Sequence, residues 1–529
     1  MINLDKIARE IADKLIEEYD KNKFKGYTPK EILKIVDKLK KEVAGKYGVQ
    51  VVKNSQISKH IENKNLKRHL IKVPSRTISG VTPVAIMSVS SCPHGKCLYC
   101  PKGKCAPQSY TGEEPASLRA RQNMFDPYMQ VKARLRQYKE IGHPTDKIEL
   151  IVMGGTFLAQ NSRYKKEFIL KLYEALNGTR CETLEDAKKI NETALHRVVG
   201  LTIETRPDWS KKTHINEMLN YGSTRVELGV QTLSDSVYKK VKRGHEIKDV
   251  VESTQLLKDS AFKIVYHMMP GLFCSPEEDI QHIKSLFVDP NFQPDMLKIY
   301  PTLVLKNTEL YDMWERGEYK PYDSENAAEV ISEALRYVPK YVRVMRIQRD
   351  IPSPLVVAGV KHSNLRQIVE QKMKEKNIQL KEIRSREIGV AVNTYKRKLE
   401  LSKLEQTITE YKASNGKEYF IAYEDLDDDV ILGFVRLRIP YAPFRPEIDK
   451  QTGLIRELHV YGSEVGIGGL PESFQTQHRG LGKNLLEKAE EIAKQNGMEK
   501  MIVIAGSGVR PYYYKQGYSL NKNYVGKKI

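Results

Sequence analysis

The sequence predicts an α/β protein: a partial β/α barrel, then a second, smaller α/β domain, with a basic helical segment ahead of both. Three observations carry this. A Cys-x4-Cys-x2-Cys run, Cys92, Cys97 and Cys100, directly follows the apolar, β-branched segment Val84–Ser90, which reads as a buried strand. Strand and helix patterns then alternate for some 250 residues. Near the C-terminus, Gln477-x-x-Gly480-x-Gly482 stands between a strand pattern and an amphipathic helix.

The N-terminal segment, residues 1–80, carries 19 Lys/Arg against 10 Asp/Glu. Ile7, Ile11, Leu15 and Ile16 recur at helical spacing over residues 4–20. Thr28-Pro29-Lys30-Glu31 is a capping box that opens a second helix with an Ile32, Ile35, Val36, Leu39, Val43 face, ended by Gly45 or Gly48. A third helix is expected over Ser55–His69. With a whole-chain formal charge of +20, this segment reads as a phosphate-binding module for a nucleic acid.

Residues 81–350 form the barrel. Strands are expected at Ile148–Met153, Val198–Glu204, Arg225–Val230, Lys263–Met268, Met296–Tyr300 and Val342–Ile347. Helices are expected at Ala116–Lys139, Lys166–Leu176, Lys211–Tyr221, Asp235–Lys242, Glu277–Phe287 and Glu325–Tyr337. In such barrels chemistry sits at the C-terminal strand ends. There the sequence places Gly154-Gly155-Thr156, Glu204-Thr205-Arg206, Glu227 with Gln231, His267-Met268-Met269 and Lys298-Ile299-Tyr300. Residues 351–387 read as a charged, helical connector.

Residues 388–529 form the second α/β domain, with strands at Tyr419–Tyr423, Ile431–Ile439, Leu454–Tyr461 and Met501–Ala505. The glycine motif presents free amides at a helix N-terminus, a cradle for a pyrophosphate. Arg510-Pro511-Tyr512-Tyr513-Tyr514 follows the last of these strands.

The cysteine run leaves alternatives open. Three thiolates can hold three irons of a four-iron cluster and leave the fourth open to a ligand. A zinc knuckle needs four closed ligands, for which Cys105 is the spare. A disulfide framework does not suit so long a chain. No run of about 18 apolar residues is present, so no membrane span is expected. The N-terminus shows no signal-peptide pattern, and the few, clustered cysteines suit a cytoplasmic protein.

The order of the C-terminal segments resembles the GNAT acetyltransferases, and the cysteine run resembles that of radical-SAM enzymes, with one residue more than their usual Cys-x3-Cys-x2-Cys. Together they resemble the catalytic subunit of the Elongator complex and its stand-alone archaeal relatives. The likeness is carried by Gln108–Gly112, Ile151–Phe157, Gly200–Asp208, Gln348–Pro354 and Arg456–Gly462.

That resemblance implies a tRNA-modifying enzyme working on the wobble uridine in the anticodon region. Acetyl-CoA supplies a carboxymethyl precursor for C5. Cys92, Cys97 and Cys100 would ligate a [4Fe–4S] cluster. S-adenosylmethionine (SAM) would sit on the open iron against Gly154, Gly155, Glu204, Arg206 and Gln231. Lys147, Glu457, Leu458, His459, Val460, Leu481, Gly482, Lys483 and Tyr513 would meet acetyl-CoA, with Lys147, His459 and Tyr513 closest to the chemistry. Partner subunits are compatible with the sequence but not required by it. Two other classes stay open: a SAM-independent protein lysine acetyltransferase using Glu457 or His459 as base, and a non-catalytic tRNA-binding scaffold.

Overall fold

The computed structural model describes residues 4–24, 27, 29–49, 52–63, 66–67, 69–70, 80–393, 401–461 and 480–529. Gln477, His478 and Arg479 of the glycine motif, Thr28 of the capping box, and Lys64, Asn65 and Arg68 of the basic run lie outside those residues.

Helices Leu4–Asn22 and Pro29–Lys46 form as the apolar spacing requires. Ile7, Ile11, Leu15, Val36 and Val43 meet in a core of their own. The second helix runs through Gly45 and stops before Gly48, whose φ is +66°. The expected third helix is shorter, Asn54–Ser58. A separate turn begins where Asn63 Oδ1 accepts from the Leu66 amide.

Seven parallel strands make the barrel sheet, in order β1-β2-β3-β4-β5-β6-β8. They are β1 Thr82–Met87, β2 Lys147–Met153, β3 Arg197–Thr205, β4 Arg225–Gln231, β5 Lys263–Met268, β6 Met296–Ile299 and β8 Arg343–Ile347. β7 Val304–Leu305 pairs with β9 Val356–Ala358 beside it. The six barrel strands expected after the cysteine loop are present within one or two residues of their expected ends, whereas the strand expected at Val84–Ser90 runs from Thr82 to Met87 and stops three residues earlier. The helix expected over Ala116–Lys139 is instead two helices, Pro115–Gln122 and Pro127–Glu140. Pro127 cannot continue a helix. Met124 and Phe125 take positive φ, and Asp126 caps the new start by accepting from the Met129 amide. Ile247–Lys258 is a further helix that periodicity did not single out.

The second sheet holds β10 Leu404–Ala413, β11 Gly416–Asp425, β12 Val430–Ile439, β13 Thr452–Val460, β14 Lys500–Val503, β15 Ser519–Asn521 and β16 Tyr524–Lys528. Its order is β10-β11-β12-β13-β14-β16-β15. Only β13 and β14 pair in parallel, over Thr452–Ile455 and Lys500–Val503. β13 then continues five residues past that pairing, to Val460.

This sheet docks on the N-terminal ends of the barrel strands. Arg456 donates to the Phe262 carbonyl and, through both terminal nitrogens, to Asp295, just before β5 and β6. Arg438 holds Asp259, and Arg343, which opens β8, pairs with Glu387. Gly506 and Gly508 lie so close against Val199 and Arg197 that a Cβ at either would collide. Lys258, Asp295, Glu418, Arg438 and Arg456 are wholly buried in this contact.

Candidate active site

The cysteine loop leaves β1 at the C-terminal end of the barrel and folds over its mouth. Below it lies a cavity of about 680 Å³. Cys92, Cys97 and Cys100 all line it, together with Tyr110, Gly155, Glu204, Glu227, Gln231, His267, Lys298, Tyr300, Arg346 and Arg349. The loop is braced by Gln108, whose Oε1 accepts from the Cys92 amide (2.9 Å) and whose Nε2 donates to the Gly95 carbonyl (2.6 Å). Arg349 reaches across to the Ser109 carbonyl at 2.7 Å. Four of the sequence stretches singled out above, separated by up to 240 residues, thus converge on one cavity.

The three sulfurs fit a cluster better than a single ion. In tetrahedral zinc, bonds of about 2.3 Å would bring sulfurs roughly 3.8 Å apart. Among the described residues, the cysteines do not form a group whose ligand atoms all lie within 4.8 Å of one another. All six cysteines are free, and Cys105 is exposed while Cys97 and Cys100 are buried.

Each thiol has a polar neighbour. Thr156 Oγ1 donates to Cys92 Sγ at 3.4 Å, and the Ser109 hydroxyl lies 3.3 Å from Cys100 Sγ. Burial pushes the Cys100 thiol up. His94 Nε2 lies 3.2 Å from Cys97 Sγ, and Arg206 Nη1 bonds His94 Nδ1. Because an arginine only donates, Nδ1 is the acceptor, so the proton sits on Nε2 and points at the Cys97 sulfur. Burial, then Arg206 and Arg243, lower the His94 pKa to about 4, which keeps the ring neutral near pH 7. Arg243 Nη1 is 3.8 Å from the same sulfur. Neither His94 nor Arg243 was singled out from the sequence. His94 sits inside the x4 gap and was legible as a residue next to a ligand; Arg243, in the charged stretch Lys239–Arg243, gave no signal.

The other expected SAM contacts fall as follows. Gly154 and Gly155 have φ of +105° and +52°, and a Cβ on either would lie 2.5 Å from the Ser88 or Ser90 carbonyl oxygen. They let the end of β2 pass directly under the cysteine loop. Gln231 ends β4 with φ +76° and an amide oxygen that is buried without a hydrogen-bond partner. Glu204 accepts from Tyr110 Oη at 3.3 Å and lies 3.7 Å from Lys298. The Arg206 guanidinium is fully engaged, by Asp208 through Nε and Nη2 and by His94 and the Arg243 carbonyl through Nη1. It braces the loop.

Deeper in, Lys298 pairs with Glu227, which also accepts from His267 Nε2 at 2.8 Å. Burial alone would raise the Glu227 pKa, but Lys298 and His267 outweigh it and hold the carboxylate well below its ordinary range. The alternation along β2 and β4 turns Lys147, Glu149, Ile151 and Met153, and likewise Arg225, Glu227, Gly229 and Gln231, to the barrel interior. Lys147 is thus not at the cysteine end. It opens β2 at the opposite end, in register with Arg197, which packs against Gly508 of the second domain.

The candidate acetyl-CoA residues lie on that opposite side. Glu457 is buried and accepts from Arg436 Nε at 2.9 Å; burial is outweighed by Lys263 and Arg436, so its pKa is lowered. The His459 pKa is lowered by burial, and its ring lies tilted against Tyr461, ring centroids 4.2 Å apart. Leu458 and Val460 are half-buried, and Leu481, Gly482 and Lys483 open the helix Leu481–Gln495. Gly482 faces the Tyr512 hydroxyl and Val460. Tyr513 packs into the domain core, and its half-exposed neighbour Tyr512 presents its ring at the helix start. Sequence spacing did not separate these adjacent tyrosines.

Three family models match successive parts of the chain. The radical SAM superfamily model matches residues 86–287, a radical SAM C-terminal domain 294–375 and the GNAT acetyltransferase family 391–518. A tRNA uridine(34) acetyltransferase from Methanocaldococcus jannaschii is 47% identical over 99% of this chain and 98% of its own. Human Elongator complex protein 3 is 42% identical over 93% of each chain. The solved archaeal Methanocaldococcus infernus Elp3, lacking residues 1–46, is 45% identical, with a TM-score of 0.77 over 86% of this chain and all of that one. With three cysteines over the mouth at one end of its barrel and an acetyltransferase sheet at the other, the chain belongs to the family of the tRNA uridine(34) acetyltransferases and Elongator complex protein 3.

Proposed function

We propose that this protein modifies the wobble uridine of tRNA in the anticodon region, joining an acetyl-CoA-derived, carboxymethyl-type group to C5 of the base. Uracil C5 is too weak a nucleophile for ordinary acyl transfer, which is why an acetyltransferase domain alone would not suffice. A [4Fe–4S] cluster on Cys92, Cys97 and Cys100 supplies, when bound, the electron that cleaves SAM to a hydrogen-abstracting radical. The observation that carries this reading is the pairing, across a buried contact, of a cavity lined by three cysteines with an acetyltransferase sheet.

The residues of this chain divide the remaining work. His94 and Arg243 direct N–H groups at the Cys97 sulfur and so hold it in place as a ligand. Gln231, with its free amide oxygen, and Glu204, held by Tyr110, offer acceptors to the amino groups of a bound SAM. The ion pair of Lys298 with Glu227 fixes the cavity wall and keeps charges paired where water must be excluded. The mouth faces away from the acetyltransferase sheet, leaving the tRNA base a route in from the C-terminal end. The basic residues 1–80 supply phosphate contacts.

The protein lysine acetyltransferase reading needs a free base by the acetyl group. Glu457 is tied to Arg436 with its pKa lowered, which weighs against it in that role. The test is mass spectrometry of nucleosides digested from tRNA after anaerobic incubation with reductant, SAM and acetyl-CoA. A modified wobble uridine that requires both SAM and acetyl-CoA supports the proposal. Acetylated peptide without SAM, and unmodified tRNA, would replace it with the acetyltransferase reading.

A further inference from the structure

The cavity does not stop beneath the cysteines. Its lining continues down to Pro83, Glu149 and Arg225, at or near the N-terminal ends of β1, β2 and β4. Six residue steps of strand, roughly 20 Å, separate the ends of β2. The cavity therefore runs from the cysteines most of the way along the barrel towards the end on which the acetyltransferase sheet docks.

Arg225 sits towards the far end. It is only 5% exposed, and its Nη1 pairs with Glu149. Yet its Nε and Nη2 are buried without a hydrogen-bond partner. Glu227 Oε1, 3.7 Å from Nη2, is too distant to hydrogen-bond and is itself unpartnered. Thr202, the register partner of Arg225 on β3, is fully buried with an unpartnered hydroxyl. Arg225 Nε and Nη2 and the Thr202 hydroxyl are thus buried at one level of the barrel without a hydrogen bond, an arrangement that costs stability unless a ligand completes it.

The level is also next to the second domain. Arg225 pairs in register with Lys263, whose charge acts on Glu457 of β13. Two residues further towards the cysteines is Glu227, and Gly229, whose carbonyl accepts from Arg243, lies about 13 Å from Arg225. A neutral or anionic oxygen held on Arg225 would therefore stand beyond the space a SAM needs at the mouth and within reach of the acetyltransferase side.

We propose that the acetyl group enters the barrel from its N-terminal end, still as a thioester, and that Arg225, aided by Thr202, receives the thioester carbonyl oxygen. The inference rests on acetyl-CoA being the second substrate. It makes the barrel a passage open to each substrate from a different end, the base from the cysteine side and the acyl group from the acetyltransferase side.

The test uses the full-length, cluster-loaded protein with an acyl-CoA bearing a diazirine in its short acyl group. After irradiation, labelled peptides are mapped. Label on the barrel interior, in Lys147–Met153 or Arg225–Gln231, is expected; label confined to residues 452–529 overturns the proposal. Arg225→Gln should lower barrel label about tenfold, the effect of losing one charge-assisted hydrogen bond. Because that change strands Glu149, Arg225→Gln with Glu149→Gln is run beside it, and the cluster absorbance confirms folding. Barrel label undiminished in the folded double variant removes Arg225 from the role. Barrel label in a protein that modifies no tRNA would leave this subsite standing and sink the tRNA reading. Modified tRNA with label only on the acetyltransferase domain would do the reverse.

Discussion

Arg456→Met tests what joins the two domains. Arg456 makes five hydrogen bonds to three acceptors: two to Asp295, two to Glu418 and one to the Phe262 carbonyl, at 2.5–3.1 Å. Both charged partners are fully buried. Around them stand Lys258, Arg436 and Arg438 as cations, with Asp259 and Glu457 as further carboxylates. The cluster holds as many cations as anions, and removing Arg456 leaves one buried negative charge unbalanced. Breaking such a pair costs about 3–5 kcal/mol. Lys258, 3.6 Å from both Asp295 and Glu418, remains and favours the lower end of that range. The assay is urea unfolding of the apoprotein followed by fluorescence, which reports the barrel because both tryptophans, Trp209 and Trp314, lie there. At a slope of about 3 kcal/mol/M the midpoint should fall by about 1 M. Arg456→Lys keeps the charge without the planar fork and should fall between. A midpoint for Arg456→Met equal to the parent's would refute the view that this buried network holds the domains together.

Three further outcomes are expected. His94→Ala removes the N–H aimed at Cys97 and should cost about 10–100-fold in cluster retention or SAM cleavage, read by iron content and 5′-deoxyadenosine yield. Lys34, Lys38 and Lys41 are exposed on the second N-terminal helix; changing all three to Gln should reduce the slope of log K for tRNA against log salt by roughly 2–3, measured by filter binding. Burial raises the Asp279 pKa to about 7, above its unfolded value, so the folded state binds the extra proton and stability falls as pH rises from about 4 to 7. Asp279→Asn should flatten that decline in a pH series of unfolding midpoints.

Much of this was written in the sequence because the barrel strands are short apolar runs bounded by turn residues, and their period of two sorts each strand into a helix-facing and an interior face. Glu204 and Gln231 stand at the C-terminal ends of their strands as expected, whereas Glu227 lies mid-strand, deeper in the barrel. What sequence could not supply was distance. Arg206 read as a ligand contact at a strand end, but the fold gives its donors to Asp208 and His94. Tyr512 and Tyr513 differ by one step around a short helix, which decides core against cleft and leaves no periodic trace. The break at Asp126-Pro127 was readable, since proline opens helices and cannot continue them, and the apolar period across it masked the stop. Arg225 looked like an ordinary charged strand start; only its two buried nitrogens without a hydrogen bond, a three-dimensional fact, mark it out.

The most direct test of the account compares the parent protein with Cys97→Ser. Both are reconstituted and incubated without oxygen with dithionite, SAM, acetyl-CoA and a tRNA bearing an unmodified wobble uridine. 5′-Deoxyadenosine, free CoA and modified nucleoside are measured together. The account expects all three from the parent and no 5′-deoxyadenosine or modified nucleoside from Cys97→Ser, with the circular dichroism of the two proteins unchanged. Modified nucleoside formed by Cys97→Ser would contradict it.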